Sequence, residues 1–467
     1  MIEESNLISI GVQNMPSQVN NSKKINEREI VLDMLLEIIE GGKFSHTILN
    51  QTLSRHQNLN KQERSFITRL STGTVERYLT LDYRINQVAS LPVKKMKPLI
   101  RNLLRLSVYQ LIYMDNIPDS AVCNEAVKLA KKRKFIKLSG FVNGVLREII
   151  RTKDDFKLPY KDKNPVTYLS VVYSTPEWLV TSLLDQYHIE QVEKVLSASL
   201  KVSKTSIRCN LNKVSPSKLK EELIKEGVSV LDSQYLDYGF YISDYDHLEG
   251  IDAFKKGHFV VQDISSQLVN QVAGIESDDF VIDVCAAPGG KALHASQVAN
   301  KVLARDLTEY KVDLINDNIK RLDITNVETE VWDATVLDAA LIGKADVVIA
   351  DLPCSGIGVM GKKVDIKYKM TRFQQIELVE LQRKILTIIQ NYVKPGGTLI
   401  YSTCTINNDE NTGNMNWFLQ NFDFEAVSLE SYLPESLRNG DICNGYLQLL
   451  QGVHETDGFF IGKMRKH

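Results

Sequence analysis

The chain has 467 residues, 43% of them hydrophobic and 24% charged, enough to fill several cores without a disulfide or metal staple. No run of 18 apolar residues occurs, and residues 1–20 lack the basic start and apolar stretch of a secretory signal, so a membrane-spanning or secreted chain is not expected. The six cysteines (Cys123, Cys209, Cys285, Cys354, Cys404 and Cys443) form no CxxC pair, which excludes a zinc ribbon or thioredoxin-type site and fits reduced thiols in a cytoplasmic protein.

The net charge of -2 conceals an asymmetry. Residues 23–151 hold 23 Lys and Arg against 12 Asp and Glu, a net of +11, while residues 152–467 hold 33 against 44, a net of -11. A basic module joined to an acidic one suggests a polyanion-binding part and a part with another task; a solvated basic surface is the plainer alternative.

In chain order, residues 1–22 are rich in Asn, Ser and Gln, lack aromatics, and read as a disordered tail. From Glu27, apolar residues recur at helical spacing through Ile39, and Gly41 and Gly42 end that helix. A strongly apolar helix follows Pro98. Another starts after Pro118, where Asp119 or Ser120 can cap it, and one more runs through Phe141 to Ile149. Nothing in 23–152 reads as a strand, so an all-helical domain is expected there. Two basic clusters lie on it: Lys94, Lys95, Lys97, Arg101 and Arg105, and Lys128, Lys131, Lys132, Arg133, Lys134 and Lys137. Each could neutralise several phosphates or simply be a solvated helix end.

Residues 152–165 read as a polar linker, and 166–258 as a small α+β domain. In it a helix over Tyr173–Leu200 precedes strands at Thr205–Leu211, Val228–Leu231 and Gly239–Ile242, with a helix at Ser217–Glu226. A third domain covers 259–467. Its strands fit Phe280–Cys285, Lys301–Arg305, Glu328–Trp332, Asp346–Ala350 and Thr398–Ser402. They alternate with helices at Ala292–Val298, Tyr310–Arg321 and Phe373–Tyr392, which implies a parallel, doubly wound, Rossmann-like sheet.

The chemistry lies at the strand ends. The run Asp283-Val-Cys-Ala-Ala-Pro-Gly-Gly-Lys291 follows a strand and opens a helix, and Gly289 and Gly290 let backbone approach a ligand at the helix start. Asp306, Asp333 and Asp351 end the next three strands, where acids line the crevice of such a sheet and can hold a nucleoside-bearing cofactor. Cys354, in DLPCSG, and Cys404, in YSTCT, follow the fourth and fifth strands. A thiolate there is a strong nucleophile toward an electron-poor ring carbon, whereas two small core residues are the bland reading.

DVCAAPGGK, DLPCSG, YSTCT and the terminal DGFFIGK together resemble the RNA cytosine-5 methyltransferases that use S-adenosylmethionine. The helical part resembles a NusB-like domain through Tyr109-Gln110-Leu111, Ile117-Pro118 and Phe141-Val-Asn-Gly-Val-Leu-Arg147, a pairing similar to the RsmB-type bacterial enzymes. The resemblance implies three domains: a NusB-like all-α bundle, a small α+β domain and an S-adenosylmethionine methyltransferase domain. It implies that Cys285, Ala286, Ala287, Pro288, Gly289, Gly290 and Lys291 wrap the S-adenosylmethionine. Asp306 would hold its ribose, Asp333 would lie near the adenine, and Asp351 would line the cofactor and base site. Cys404 would attack C6 of the cytosine, and Cys354 would assist loss of the C5 proton and enzyme release. The implied target is 16S rRNA, cytosine 967 in ribosomal numbering, met by a monomer before assembly is complete, with no metal. The segment after Gly358 departs from the family, which has paired arginines and a proline there. Here the charge resides in Lys362, Lys363, Lys367 and Lys369, leaving the RNA contact open. Methylation of tRNA or 23S rRNA, and a non-catalytic ribosome-assembly factor, remain alternatives.

Overall fold

The computed structural model describes residues 26–201, 204–438 and 440–467. The expected tail at 1–22 lies outside them. Residues 26–152 are helical without a strand. The central helix, Pro98–Tyr113, buries residues on every face and is surrounded by Glu27–Leu35, Lys61–Glu76, Tyr78–Val88, Asp119–Lys132 and Ser139–Arg151. Pro98 suits the first turn, where its missing N–H has no acceptor to lose. The helix after Pro118 takes Pro118 itself as its cap residue and has no side-chain cap, so neither Asp119 nor Ser120 serves.

The expected single helix at Tyr173–Leu200 is three: Pro165–Tyr173, Glu177–Leu184 and Ile189–Ala198. The chain breaks at Ser174, whose φ is +50°, and at Pro176 and His188, which cap the following helices. These helices pack Leu169, Leu179, Val180 and Leu196 against Ile357, Met360 and Ile406 of the third domain.

Strands β1 (Thr205–Cys209), β2 (Ser229–Asp232), β3 (Gly239–Ser243) and β4 (Phe259–Val261) form an antiparallel sheet in the order β2-β3-β1-β4. The larger sheet contains β5 (Phe280–Asp283), β6 (Lys301–Asp306), β7 (Val327–Val331), β8 (Ala345–Asp351) and β9 (Val393–Thr403), all parallel in the order β9-β8-β5-β6-β7. Beyond β9 it is mixed. β12 (Phe459–Lys466) runs antiparallel to β9 and also pairs antiparallel with β10 (Phe424–Ala426) and β11 (Tyr446–Leu449). The five expected strands are parallel; the three antiparallel strands beyond them were not expected, and FFIGK lies in one of them, with Phe460 and Ile461 fully buried. Strand order reverses between β5 and β8, which opens the ligand crevice of a doubly wound sheet at their carboxyl ends.

Candidate active site

Pairing of Asp351 with Ser402 across β8 and β9 sets the loops that follow these strands side by side. Cys354 Sγ and Cys404 Sγ approach to 3.1 Å, and both cysteines are free. Two further contacts fix the loops. Ser355 Oγ lies 2.7 Å from Thr405 Oγ1, and Ser355 N donates to Glu410 at 2.8 Å. Glu410, fully buried, also accepts from Gln382 and Asn407; burial raises its carboxyl above the usual range. Behind the thiols, the chain at Gly358 passes against Gly458 so closely that a Cβ on Gly358 would lie 1.9 Å from the Gly458 carbonyl oxygen. Gly358 N donates to Cys404 O, and Gly458 N to Gly358 O, so the Cys404 loop, the segment after Cys354 and the terminal DGFF run are stitched through backbone.

The two thiols are electrostatically unlike. The hydrogen bond from Cys354 lowers the Cys404 thiol; burial and Asp351 oppose this, and the Lys363 and Lys291 cations support it. The same bond, with burial, pushes Cys354 up. Of the two thiols, Cys404 is therefore the one that gives up its proton more readily, and Cys354 the one that keeps it.

Lys291 closes the DVCAAPGGK turn by an ion pair with Asp351 Oδ2 at 2.5 Å, and Ser402 Oγ donates to the other Asp351 oxygen at 2.8 Å. Gly289, at φ +104°, adopts a backbone that L side chains rarely reach, which lets the turn fold back onto β5. Asp306 accepts from Ala287 N at 2.9 Å, from Leu307 N at 2.7 Å and from Lys311 Nζ at 2.8 Å, tying the end of β6 to the turn. Asp283 is buried with Oδ2 unpartnered. Burial pushes its carboxyl to about 7; Lys291 opposes this, while Asp351 and Asp306 add to it. Cys285, Ala286, Ala287 and Pro288 line the same turn. Asp333 stands apart: exposed beyond β7, it accepts from Thr335 N and Oγ1, which hold it below its usual value.

The lysines after Gly358 do not form the free basic stretch expected. Lys362 pairs with Asp263 at 2.8 Å and Asp457 at 2.7 Å. Lys367 is buried, its ammonium pushed down to about 7 by burial despite Glu76 nearby, and Lys369 pairs with Asp365 at 3.0 Å. Of these lysines only Lys363 is exposed with no ion pair among the described residues. The helical clusters are partly consumed as well. Arg101 pairs with Glu40, Arg105 is buried against Asp82, Lys128 pairs with Glu125, and Lys132 and Arg133 meet Glu29 and Asp33. Between the helical domain and the rest lies a cavity of about 1240 Å³ lined by Arg64, Arg69, Arg77, Lys201, Lys362 and Tyr113, among others. Sequence reading missed these arginines because they are five and eight residues apart along one helix, Lys61–Glu76, and its C-cap Arg77, too widely spaced to read as a cluster. It also missed Glu410, although an acid inside the Asn-rich run after Cys404 was a visible signal.

A turn rich in glycine after the first strand of a doubly wound sheet, with paired thiols beyond its fourth and fifth strands, defines an RNA methyltransferase. Residues 271–465 match the family model described as 16S rRNA methyltransferase RsmB/F, residues 25–151 that of the NusB family, and residues 175–245 the RsmF/B-like ferredoxin-like domain. The chain is 37% identical to the "Probable ribosomal RNA small subunit methyltransferase B" of Bacillus subtilis, over 95% of this chain and 99% of that one. The fold is shared with the crystal structure of PH0851 (TM-score 0.77, 24% identity, 95% of this chain and 99% of that one). It is shared too with NSun6 from Pyrococcus horikoshii, solved with SFG (TM-score 0.54, 24% identity, 62% of this chain and 98% of that one). The chain belongs to the ribosomal RNA small subunit methyltransferase B family.

Proposed function

We propose that the protein methylates C5 of a cytosine in 16S rRNA, cytosine 967 in ribosomal numbering, with Cys404 as covalent nucleophile and S-adenosylmethionine as methyl donor. The observation that carries this reading is the 3.1 Å approach of Cys354 and Cys404, a hydrogen bond that lowers the Cys404 thiol. The crevice fits the cofactor: Asp306 and Asp351, each held by a lysine, and the buried Asp283 bring three carboxyl groups to where a ribose, a sulfonium and an ammonium would be received. The unpartnered Asp283 oxygen gains most from a cation. SFG, carried by the NSun6 structure, is an analogue of that donor.

Cys404 adds to C6 of the ring, which turns C5 into a carbon nucleophile able to take the methyl group that S-adenosylmethionine supplies. Once Cys404 is bonded to carbon it no longer accepts the Cys354 proton, so Cys354 is released from the bond that raised it. Cys354 gives up its own proton to water, the thiolate so formed takes the C5 proton, and the electron pair of the C5–H bond expels Cys404 from C6 as a thiolate and restores the aromatic ring. Lys291 and Asp351 face this space and orient the base edge. A cytosine attacked from its face must leave the stack, at a cost of a few kcal/mol that is least in a loop. The cationic cleft beside the helical domain offsets that cost by holding flanking phosphates.

Bisulfite mapping of rRNA from a strain lacking the gene tests the assignment. One 16S cytosine should lose protection and regain it when the purified protein is supplied to the naked RNA. Full protection in the deletion strain would move the target to tRNA or 23S rRNA.

A further inference from the structure

Residues 358–370 connect the thiol site to the helical domain by contacts at both ends. At one end are the backbone bonds joining Gly358 to Cys404 and Gly458, with Lys362 held by Asp263 and Asp457. At the other end the segment enters the helical domain. Val364 joins its apolar core. Asp365 accepts from both the backbone N and the hydroxyl of Ser45, 2.9 Å each, and so caps helix Ser45–Arg55 from across the domain boundary; that helix has no side-chain cap of its own. The Tyr368 hydroxyl lies 2.6 Å from the carbonyl oxygens of Glu76 and Ser174, and its ring packs 4.2 Å from that of Tyr78. The buried Lys367 donates to Tyr173 O at 3.3 Å. Such a set of buried polar contacts is unlike a tether between independent domains, whose interfaces are mobile by default.

We infer that Asp365 and Tyr368 are positioning residues for methyl transfer: through residues 358–364 the helical domain holds the Cys404 loop and the exposed Lys363 in reactive geometry, besides helping to bind RNA. This rests on Cys404 being the nucleophile. Displacing a reacting group by about 1 Å can cost about 100-fold in rate, so a remote anchor of this kind has a measurable catalytic consequence.

The test uses the full-length protein with Tyr368→Phe, which removes one hydroxyl and keeps the ring against Tyr78, and Asp365→Asn, which weakens the cap on Ser45. Single-turnover methyl transfer at saturating RNA should fall about 10–100-fold. KM for RNA and Kd for S-adenosylmethionine should stay within about twofold, the split expected when only the reactive geometry is lost. Alkylation of Cys404 by iodoacetamide should change in rate in step with turnover. A rise in KM with unchanged kcat would overturn the inference and leave the segment a tether, and so would unaltered kinetics. Should both variants melt out, Ser45→Ala, which leaves Asp365 its Lys369 pair and the Ser45 backbone bond, is judged by the same criteria. Normal turnover by Cys404→Ala is a separate outcome that would remove the underlying nucleophile assignment instead.

Discussion

The rim of the parallel sheet and the surface of the helical domain make an instructive pair. At the rim, Lys291, Asp351, Cys354 and Cys404 come from three distant stretches of sequence and meet across one crevice. On the helical domain, five of the eleven basic side chains in the two clusters (Arg101, Arg105, Lys128, Lys132 and Arg133) are paired with carboxylates. The difference is physical. A residue just past a parallel strand is delivered to the carboxyl edge by the strand itself and by the right-handed crossover that follows, so sequence position fixes its place. A surface cation acquires its partner from whichever element folds beside it, and no local pattern records that. Motif residues at strand ends are therefore good evidence of a site, while a run of lysines and arginines is weak evidence of an interface until its counter-ions are known.

The largest expected effect breaks the rim side of the comparison. Cys404→Ala should reduce turnover by roughly 10⁴-fold or more, as loss of a covalent nucleophile does in enzymes that act through one. Calorimetry should show the cofactor still bound, because the turn that holds it begins on a different strand. Turnover near that of the wild type would shift the nucleophile to Cys354.

A smaller effect separates the two thiols. Cys354→Ala should slow release of the methylated RNA by about 10²–10⁴-fold, the range for loss of a general base, and leave a covalent enzyme–RNA band on a denaturing gel. The same variant should move the pH at which Cys404 is alkylated. A thiolate-dependent rate rises with pH through the thiol pKa. The Cys354 hydrogen bond keeps that pKa below the ordinary value, so its removal should push the rise to higher pH. An unshifted profile together with normal release would make Cys354 a packing residue.

The fold was largely legible where hydrophobic period and turn residues agreed. The five parallel strands lie within five residues of their expected bounds at either end, because each is a short β-branched run closed by an acid or a turn. The sheet beyond β9 was not legible as such. The terminal DGFFIGK is visible as a motif, yet the antiparallel placement of Phe459–Lys466 beside β9 depends on a long connection that carries no directional signal. Helix Tyr173–Leu200 was read as continuous because apolar spacing survives across Ser174 and His188, while the breaks are made by a left-handed serine that the neighbouring domain holds in place. Of the candidate site, the reacting groups were visible. Of their supports, Glu410 left a signal in the Asn-rich run after Cys404, whereas Ser355 with Thr405 and the Lys362 triad left none, since each is defined by a partner remote in sequence.

Asp306→Ala sharpens the cofactor end of the rim. Its carboxylate is engaged by Ala287 N, Leu307 N and Lys311, so truncation removes a ribose acceptor and loosens the turn. Charge-assisted hydrogen bonds of this kind contribute about 1.5–3 kcal/mol, which corresponds to roughly 10–100-fold in S-adenosylmethionine affinity. RNA affinity should change little. An unaltered cofactor Kd would take Asp306 out of the site.

The smallest effect tests the helical surface and uses the counter-ion pattern directly. Replacing Lys131, Lys132, Arg133 and Lys134 together would confound two things, because Lys132 and Arg133 hold Glu29 and Asp33 of the first helix and their loss affects packing. The exposed side chains in that cluster with no ion pair among the described residues are Lys131, Lys134 and Lys137. Their triple Ala variant should melt close to the wild type, since surface cations without partners contribute little to stability. If all three face phosphate, the slope of log K against log salt should flatten by about 2, at roughly 0.7–0.9 per contact, with affinity falling evenly across RNA sequences. Arg64→Ala with Arg69→Ala in the cleft provides the contrast. If the RNA instead follows the cleft, that pair should flatten the slope by about 1.5 while the lysine variant leaves it unmoved. The two slopes, measured on one RNA, therefore decide which face of the helical domain carries the phosphates, and they do so without reference to activity.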